Sequence, residues 1–203
     1  SGATESSNLA IRGAVAAYGR KRKKIVASAV EHASVKATLS YLETLGFTVV
    51  TVPPAADGEY HTEDFLREID SSVCLVSMML VNNENGCRLP VENVFRMVKR
   101  NDPEIITHCD AVQGFLKIPF KPRTLCADLV SVSGHKVHAL KGVGALYIRH
   151  GVRVKPILCG SEQERGLRPG TESVPLIASF GAATEKLSLN IEERLERVSQ
   201  LRS

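Results

Sequence analysis

Six short apolar runs alternate with segments whose apolar residues recur at helical spacing, and this alternation confines the chain to an α/β fold. The runs lie at 25–30, 47–52, 73–80, 105–109, 129–133 and 144–149. They are rich in Val, Ile and Leu with little polar alternation, as strands buried on both faces require. Between them, Leu9, Ile11, Val15 and Tyr18 mark a helix over 5–19. Val35, Leu39 and Leu42 mark a second over 33–45, closed by Gly46. A third spans 62–69 with Thr62 as its cap, and a fourth spans 91–100 before Asn101-Asp102-Pro103. A stripe of Ile177, Phe180, Leu187, Ile191, Leu195 and Val198 predicts one long amphipathic helix over 174–201. The expected architecture is a three-layer α/β/α fold with a mainly parallel sheet. Ligands of such sheets bind beyond the carboxyl ends of the strands, so the residues just after each run carry the functional information.

Composition narrows the class. A chain of 203 residues supports one large domain, or one domain and part of another. Its apolar runs are too short to span a bilayer. The net charge of +4 is too small to imply nucleic-acid binding. The one charge run, Arg20-Lys21-Arg22-Lys23-Lys24, reads as a solvated helix end. Five cysteines without a C-x-x-C pair argue against a disulfide framework or zinc site, and no metal is expected. A reducing, cytoplasmic setting follows. The chain begins Ser1-Gly2-Ala3-Thr4 without Met or a targeting segment, so its ends are expected to be trimmed.

Several strand ends carry chemistry. Ser133-Gly134-His135-Lys136 follows the fifth run. A lysine amine attacks an aldehyde only when unprotonated, and His135 and Ser133 could hold a phosphate beside it. Taken alone, the same stretch reads as a surface lysine in a loop. His108-Cys109-Asp110-Ala111-Val112-Gln113 follows the fourth run. A buried Asp needs a partner, which a protonated pyridine nitrogen or a set of backbone amides would supply. Ser1-Gly2-Ala3-Thr4-Glu5 opens a helix, whose free amides favour an anion, although it also reads as a plain capping box. Glu31-His32 follows the first run, where His32 either stacks on a ring or sits satisfied in the core. Asn82-Asn83-Glu84-Asn85-Gly86 follows the third, as a site loop or a simple turn.

In this order and at these positions, the stretches resemble one family: the cysteine desulfurases and selenocysteine lyases, pyridoxal-phosphate enzymes of the class V aminotransferase group. The matching segments are SGATESSN (1–8), EHASV (31–35), NNENG (82–86), HCDAVQ (108–113), SGHKVH (133–138) and QERGLRPGTES (163–173). The resemblance implies that Lys136 and His32 are the catalytic pair. Lys136 would carry the cofactor as a Schiff base and then move protons, while His32 stacks on the ring. Asp110 would pair with the pyridine nitrogen, Gln113 would bond the ring hydroxyl, and Asn83 would lie beside it. Ala3, Thr4, Ser133 and His135 would take the phosphate. Thr171 would reach the phosphate of a partner subunit, which implies a homodimer sharing its sites.

The implied reaction converts L-cysteine, or selenocysteine, to alanine and passes sulfur as a persulfide to an acceptor or iron-sulfur scaffold protein. The family's persulfide cysteine and its substrate-carboxylate arginine have no counterpart in this chain. Residues 1–175 are therefore expected to be the cofactor-binding large domain, lacking its natural N-terminal part. Residues 176–203 are expected to be a helix leading toward a smaller domain that is absent, which leaves the chain alone inactive. Gly160-Ser161-Glu162-Gln163 replaces a usual glycine-rich turn, and Ser161 and Glu162 adopt positive φ less readily than glycine. Ala139-Leu140 replaces a usual Gly-Pro. Another class V enzyme, such as an aminotransferase or epimerase, and a fold-retaining scaffold fragment are the alternatives.

Overall fold

The computed structural model describes residues 1–202. Each apolar run is a strand: β1 (Lys24–Ser28), β2 (Thr48–Val52), β3 (Val73–Met79), β4 (Ile106–Asp110), β5 (Leu129–Ser133) and β6 (Gly144–Ile148). They form one sheet in the order β2-β1-β3-β4-β5-β6. All neighbours are parallel except β5 and β6. β3 and β4 are buried at every residue, including the polar Ser77, Thr107, His108 and Asp110, whereas the edge strands β2 and β6 are only partly covered.

Helices cover both faces. α1 (Ala3–Tyr18) and α2 (Ala33–Thr44) pack Ile11, Val15, Val35 and Leu39 against Ile25, Leu75 and Leu129. α3 (Thr62–Arg67) and α4 (Val91–Asn101) pack Phe65, Val94, Phe95 and Val98 against Val26, Val76 and Val130. Phe65 and Phe95 are wholly buried, and each contributes about 3 kcal/mol through removal from water. α1 also touches the strap that follows β6. Lys155 donates its amide to Gly13 O at 3.1 Å, so close that a Cβ on Gly13 would stand 2.6 Å from Lys155 O. Glycine at this helical position is a packing requirement.

Three local expectations change. The span 174–201 is two helices, α5 (Val174–Ser188) and α6 (Ile191–Arg202), separated at Leu189-Asn190. The Arg194 guanidinium turns back to bond Leu187 O and Leu116 O, which closes the end of α5. The run Arg20–Lys24 lies beyond α1 and is more than a solvated end. Arg22 pairs with Asp102 and Glu104, and Lys24 with Glu68 and Asp70. The cap of α3 is His61, and its side chain makes no capping bond. No helix among the described residues is long and apolar enough to cross a membrane.

Candidate active site

The strand order reverses between β1 and β3: β2 lies beyond one, and β4, β5 and β6 beyond the other. A crevice opens at such a switch point beyond the carboxyl ends. His32 follows β1, Asn83 follows β3, Asp110 ends β4, and Lys136 follows β5 on a short 3₁₀ turn, Gly134–Val137. The first turn of α1 closes the crevice. Gly2 has φ 149°, and a Cβ at Gly144 of β6 would come within 2.8 Å of Gly2 Cα, so glycine alone lets helix and strand meet here. The first helical bond of α1 runs from Ser6 N to Gly2 O, so the amides of Ala3, Thr4 and Glu5 precede the ladder and face outward.

Nine of the ten sequence-predicted cofactor residues line one cavity of about 400 Å³: Ala3, Thr4, His32, Asn83, Asp110, Gln113, Ser133, His135 and Lys136. Thr171 is not among them. It lines an adjacent groove with Arg168 and Glu172 that shares Gly2 and Glu5 with the cavity. The departure at 160–163 costs no strain at Ser161 or Glu162. The left-handed residues of that loop are Glu164 and Arg165, with Gly166 and Gly170. After Lys136, His138 takes φ 63° where the chain turns, and Ala139 N bonds Gly134 O.

The polar groups are held in distinct ways. His32 caps α2, its Nδ1 accepting Ser34 N at 3.2 Å, which places the proton of the neutral ring on Nε2. Asp110 is buried, its Oδ1 accepts Val112 N at 3.0 Å, and no Lys or Arg pairs with it among the described residues. Burial therefore raises its pKa, while the Val112 amide and the nearby His32 pull it back. Ser133 Oγ lies 2.9 Å from His135 Nδ1. Burial lowers the pKa of His135, with the charges of Lys136 and Lys141 adding to it. Glu5 is tied to Arg168 at 2.7 Å, and that bond is the main reason its carboxyl falls to about 2.

Sequence reading missed four contributors. Met79 and Val112 line the cavity, and Lys117 donates to Gln113 Oε1 at 2.9 Å. His108 lies one pleat below Asp110 and is wholly buried. Its Nδ1 is 2.9 Å from Ser77 Oγ and its Nε2 3.0 Å from Ser131 Oγ, so it ties β3, β4 and β5. Burial holds its pKa near about 3. The advance signals were its place at the head of the HCDAVQ segment and two residues before Asp110, on the same strand face. All five cysteines are free thiols, and none lines the cavity.

The donor set suits pyridoxal phosphate. An amine stands at one wall, a buried acid without a counter-cation at another, and outward amides with a Ser-His pair at the helix start. Such a lysine-aspartate crevice in a doubly wound α/β sheet defines a class of cofactor-dependent transferase sites. The chain belongs to the aminotransferase class-V family, whose profile matches residues 1–203.

Among curated relatives, the cysteine desulfurase of Nostoc sp. (strain PCC 7120) is 41% identical over 199 residues, covering 98% of this chain and 49% of that protein. A solved NifS-like protein superposes with a TM-score of 0.95 at 40% identity, covering 100% of this chain and 55% of the other. A structure of SspA in complex with cysteine gives a TM-score of 0.85 at 36% identity, covering 91% and 53%. The chain spans about half the length of the curated relatives it matches.

Proposed function

We propose that the chain carries the pyridoxal-phosphate machinery of a cysteine desulfurase acting on L-cysteine. The observation that carries this reading is the convergence of Lys136, Asp110, His32 and the α1 N-terminus on one cavity. Relatives named cysteine desulfurase and a cysteine-bound structural neighbour support it. Bound there, pyridoxal phosphate supplies an electron sink for bonds at the substrate α-carbon.

The chain's own residues do the rest. Lys136 Nζ would hold the cofactor's aldehyde carbon and serve as the cavity's mobile base. Asp110, buried at the end of β4, would keep a positive charge on the ring nitrogen favourable. His32, held by its capping bonds to Ser34, would stack on the ring. The amides of Ala3 and Thr4, with Ser133 and His135, meet the phosphate, and a neutral His135 accepts a phosphate proton or donates its own. Gln113, braced by Lys117, reaches the ring hydroxyl.

Sulfur acceptance falls to a thiol outside the five present here, and Thr171 completes the phosphate site of a partner subunit in a homodimer. A cytoplasmic enzyme handing sulfur to an acceptor protein in iron-sulfur cluster assembly completes the proposal.

Titration of the purified chain with pyridoxal phosphate tests the reading. A visible absorption band that borohydride fixes onto Lys136, absent from Lys136→Ala, is the expected result. No band, or fixation on other lysines alone, overturns it.

A further inference from the structure

β1 and β3 stop pairing just where the crevice opens. Their ladder ends at Ala27 and Ser77. Beyond it, Ala29 N bonds Val52 O on the β2 side, and Leu80 N bonds Asp110 O on the β4 side. The Met79 amide, which faces β1, is left without a strand partner. Glu31 takes it: Oε1 accepts Met79 N at 2.6 Å and Ser28 Oγ at 2.5 Å. A second tie crosses the same gap, from Asn82 Nδ2 to Val30 O at 3.2 Å.

Glu31 is 2% exposed, and its other oxygen, Oε2, is buried with no hydrogen-bond partner. The ionisable groups that face it are Asp110 and Cys109 of β4, Lys36 of α2 and Tyr60 before α3. A bare carboxylate oxygen in this place, next to the buried Asp110, costs far more than a neutral acid. Burial accordingly lifts the pKa of Glu31 to about 8, with Asp110 adding to the rise. Glu31 is joined in sequence to His32, and it grips Met79, so it links two walls of the cavity.

We propose that Glu31 is a positioning residue, an uncharged carboxyl that clamps the β1 and β3 ends together and holds His32 and Met79 in place for the pyridoxal ring. The ring's presence rests on the function proposed above, while the neutral clamp is a property of the chain itself.

Two measurements on the cofactor-free chain judge the clamp. Infrared spectroscopy at pH 7 is expected to show a protonated-carboxyl stretch that Glu31→Gln removes and that fades as pH passes about 8. The Met79 amide is expected to exchange slowly in the wild type and in Glu31→Gln, and roughly tenfold or more faster in Glu31→Ala. With pyridoxal phosphate, Glu31→Gln is expected to bind like the wild type, and Glu31→Ala about tenfold more weakly.

Absence of the acid stretch in the wild type overturns the proposal, as does tenfold weaker binding by Glu31→Gln, which would mean that the charge is needed. If Glu31→Ala fails to fold, the wild-type spectrum and Glu31→Gln still decide. Failure of the wild type to bind pyridoxal phosphate overturns the functional reading alone, because the spectrum and the exchange rates need no cofactor.

Discussion

Asp128, just before β5, and Asp110, at the end of β4, are buried acids of the same sheet at opposite ends of its strands. Asp128 is saturated. Its oxygens accept Thr107 N at 3.0 Å and Arg149 Nε at 2.6 Å, and it pairs closely with Lys99. Nearby at that end, Arg22 and Lys24 each hold two carboxylates. Asp110 has one backbone amide and a cavity in front of it. Charge at the amino ends of the strands is used up in holding the sheet together. Charge at the carboxyl ends is left under-paired, a cost in stability that functional sites carry.

The sharpest way to break this comparison is to exchange the two effects. Asp128→Ala leaves the Lys99 cation, only 15% exposed, with the Pro103 and Ile105 carbonyls but without its counter-charge. A loss of about 3 kcal/mol in urea unfolding is expected, with pyridoxal phosphate affinity per folded molecule unchanged. Asp110→Asn should do the reverse. Cofactor affinity falls about tenfold or more, while the unfolding free energy of the empty chain does not drop. A stability loss in Asp110→Asn as large as that in Asp128→Ala would dissolve the distinction.

The most graded effect comes from pH. His108 binds its proton only near pH 3 when folded, against about 6.5 unfolded. Between those values the unfolded chain holds the extra proton, so this contribution is full above pH 6.5 and is lost as pH falls toward 3. Glu31 does the opposite. Folded, it keeps its proton to about 8, against 4.5 unfolded, so its contribution is lost as pH rises from 4.5 to 8. Each slope is at most about 1.4 kcal/mol per pH unit, and they oppose one another where the windows overlap. Urea unfolding across pH should show a flatter acid limb in His108→Gln and a flatter alkaline limb in Glu31→Gln. Unchanged limbs would place both groups in ordinary surroundings.

The layers and the strand ends were legible in the sequence because most strands are short runs rich in Val, Ile and Leu, and a charged residue such as Asp110 at the end of one stands out. The residues lining the cavity could be named because the segments that carry them, at those ends and at the start of α1, resemble a known family. Other features depend on three dimensions. The break between α5 and α6 falls at Leu189-Asn190, without Gly or Pro, and is stabilised by Arg194 reaching distant carbonyls. Lys117 bonds Gln113 through a turn with no helical period. Glu31 has an orphan amide to hold only because β1 and β3 part beside it, a matter of sheet order rather than of spacing.

The antiparallel pairing of β5 and β6 also sets a timetable for assembly. These two strands are neighbours in sequence and close on each other across a short connection that carries Lys136. Parallel neighbours must wait for long crossovers, whose closure is slower. The amine therefore rests on the most local piece of the sheet, whereas His32, Asn83 and Asp110 reach it only when distant segments have docked. Cofactor binding would thus report finished assembly, since the groups lining the cavity are spread along the chain from Ala3 to Lys136.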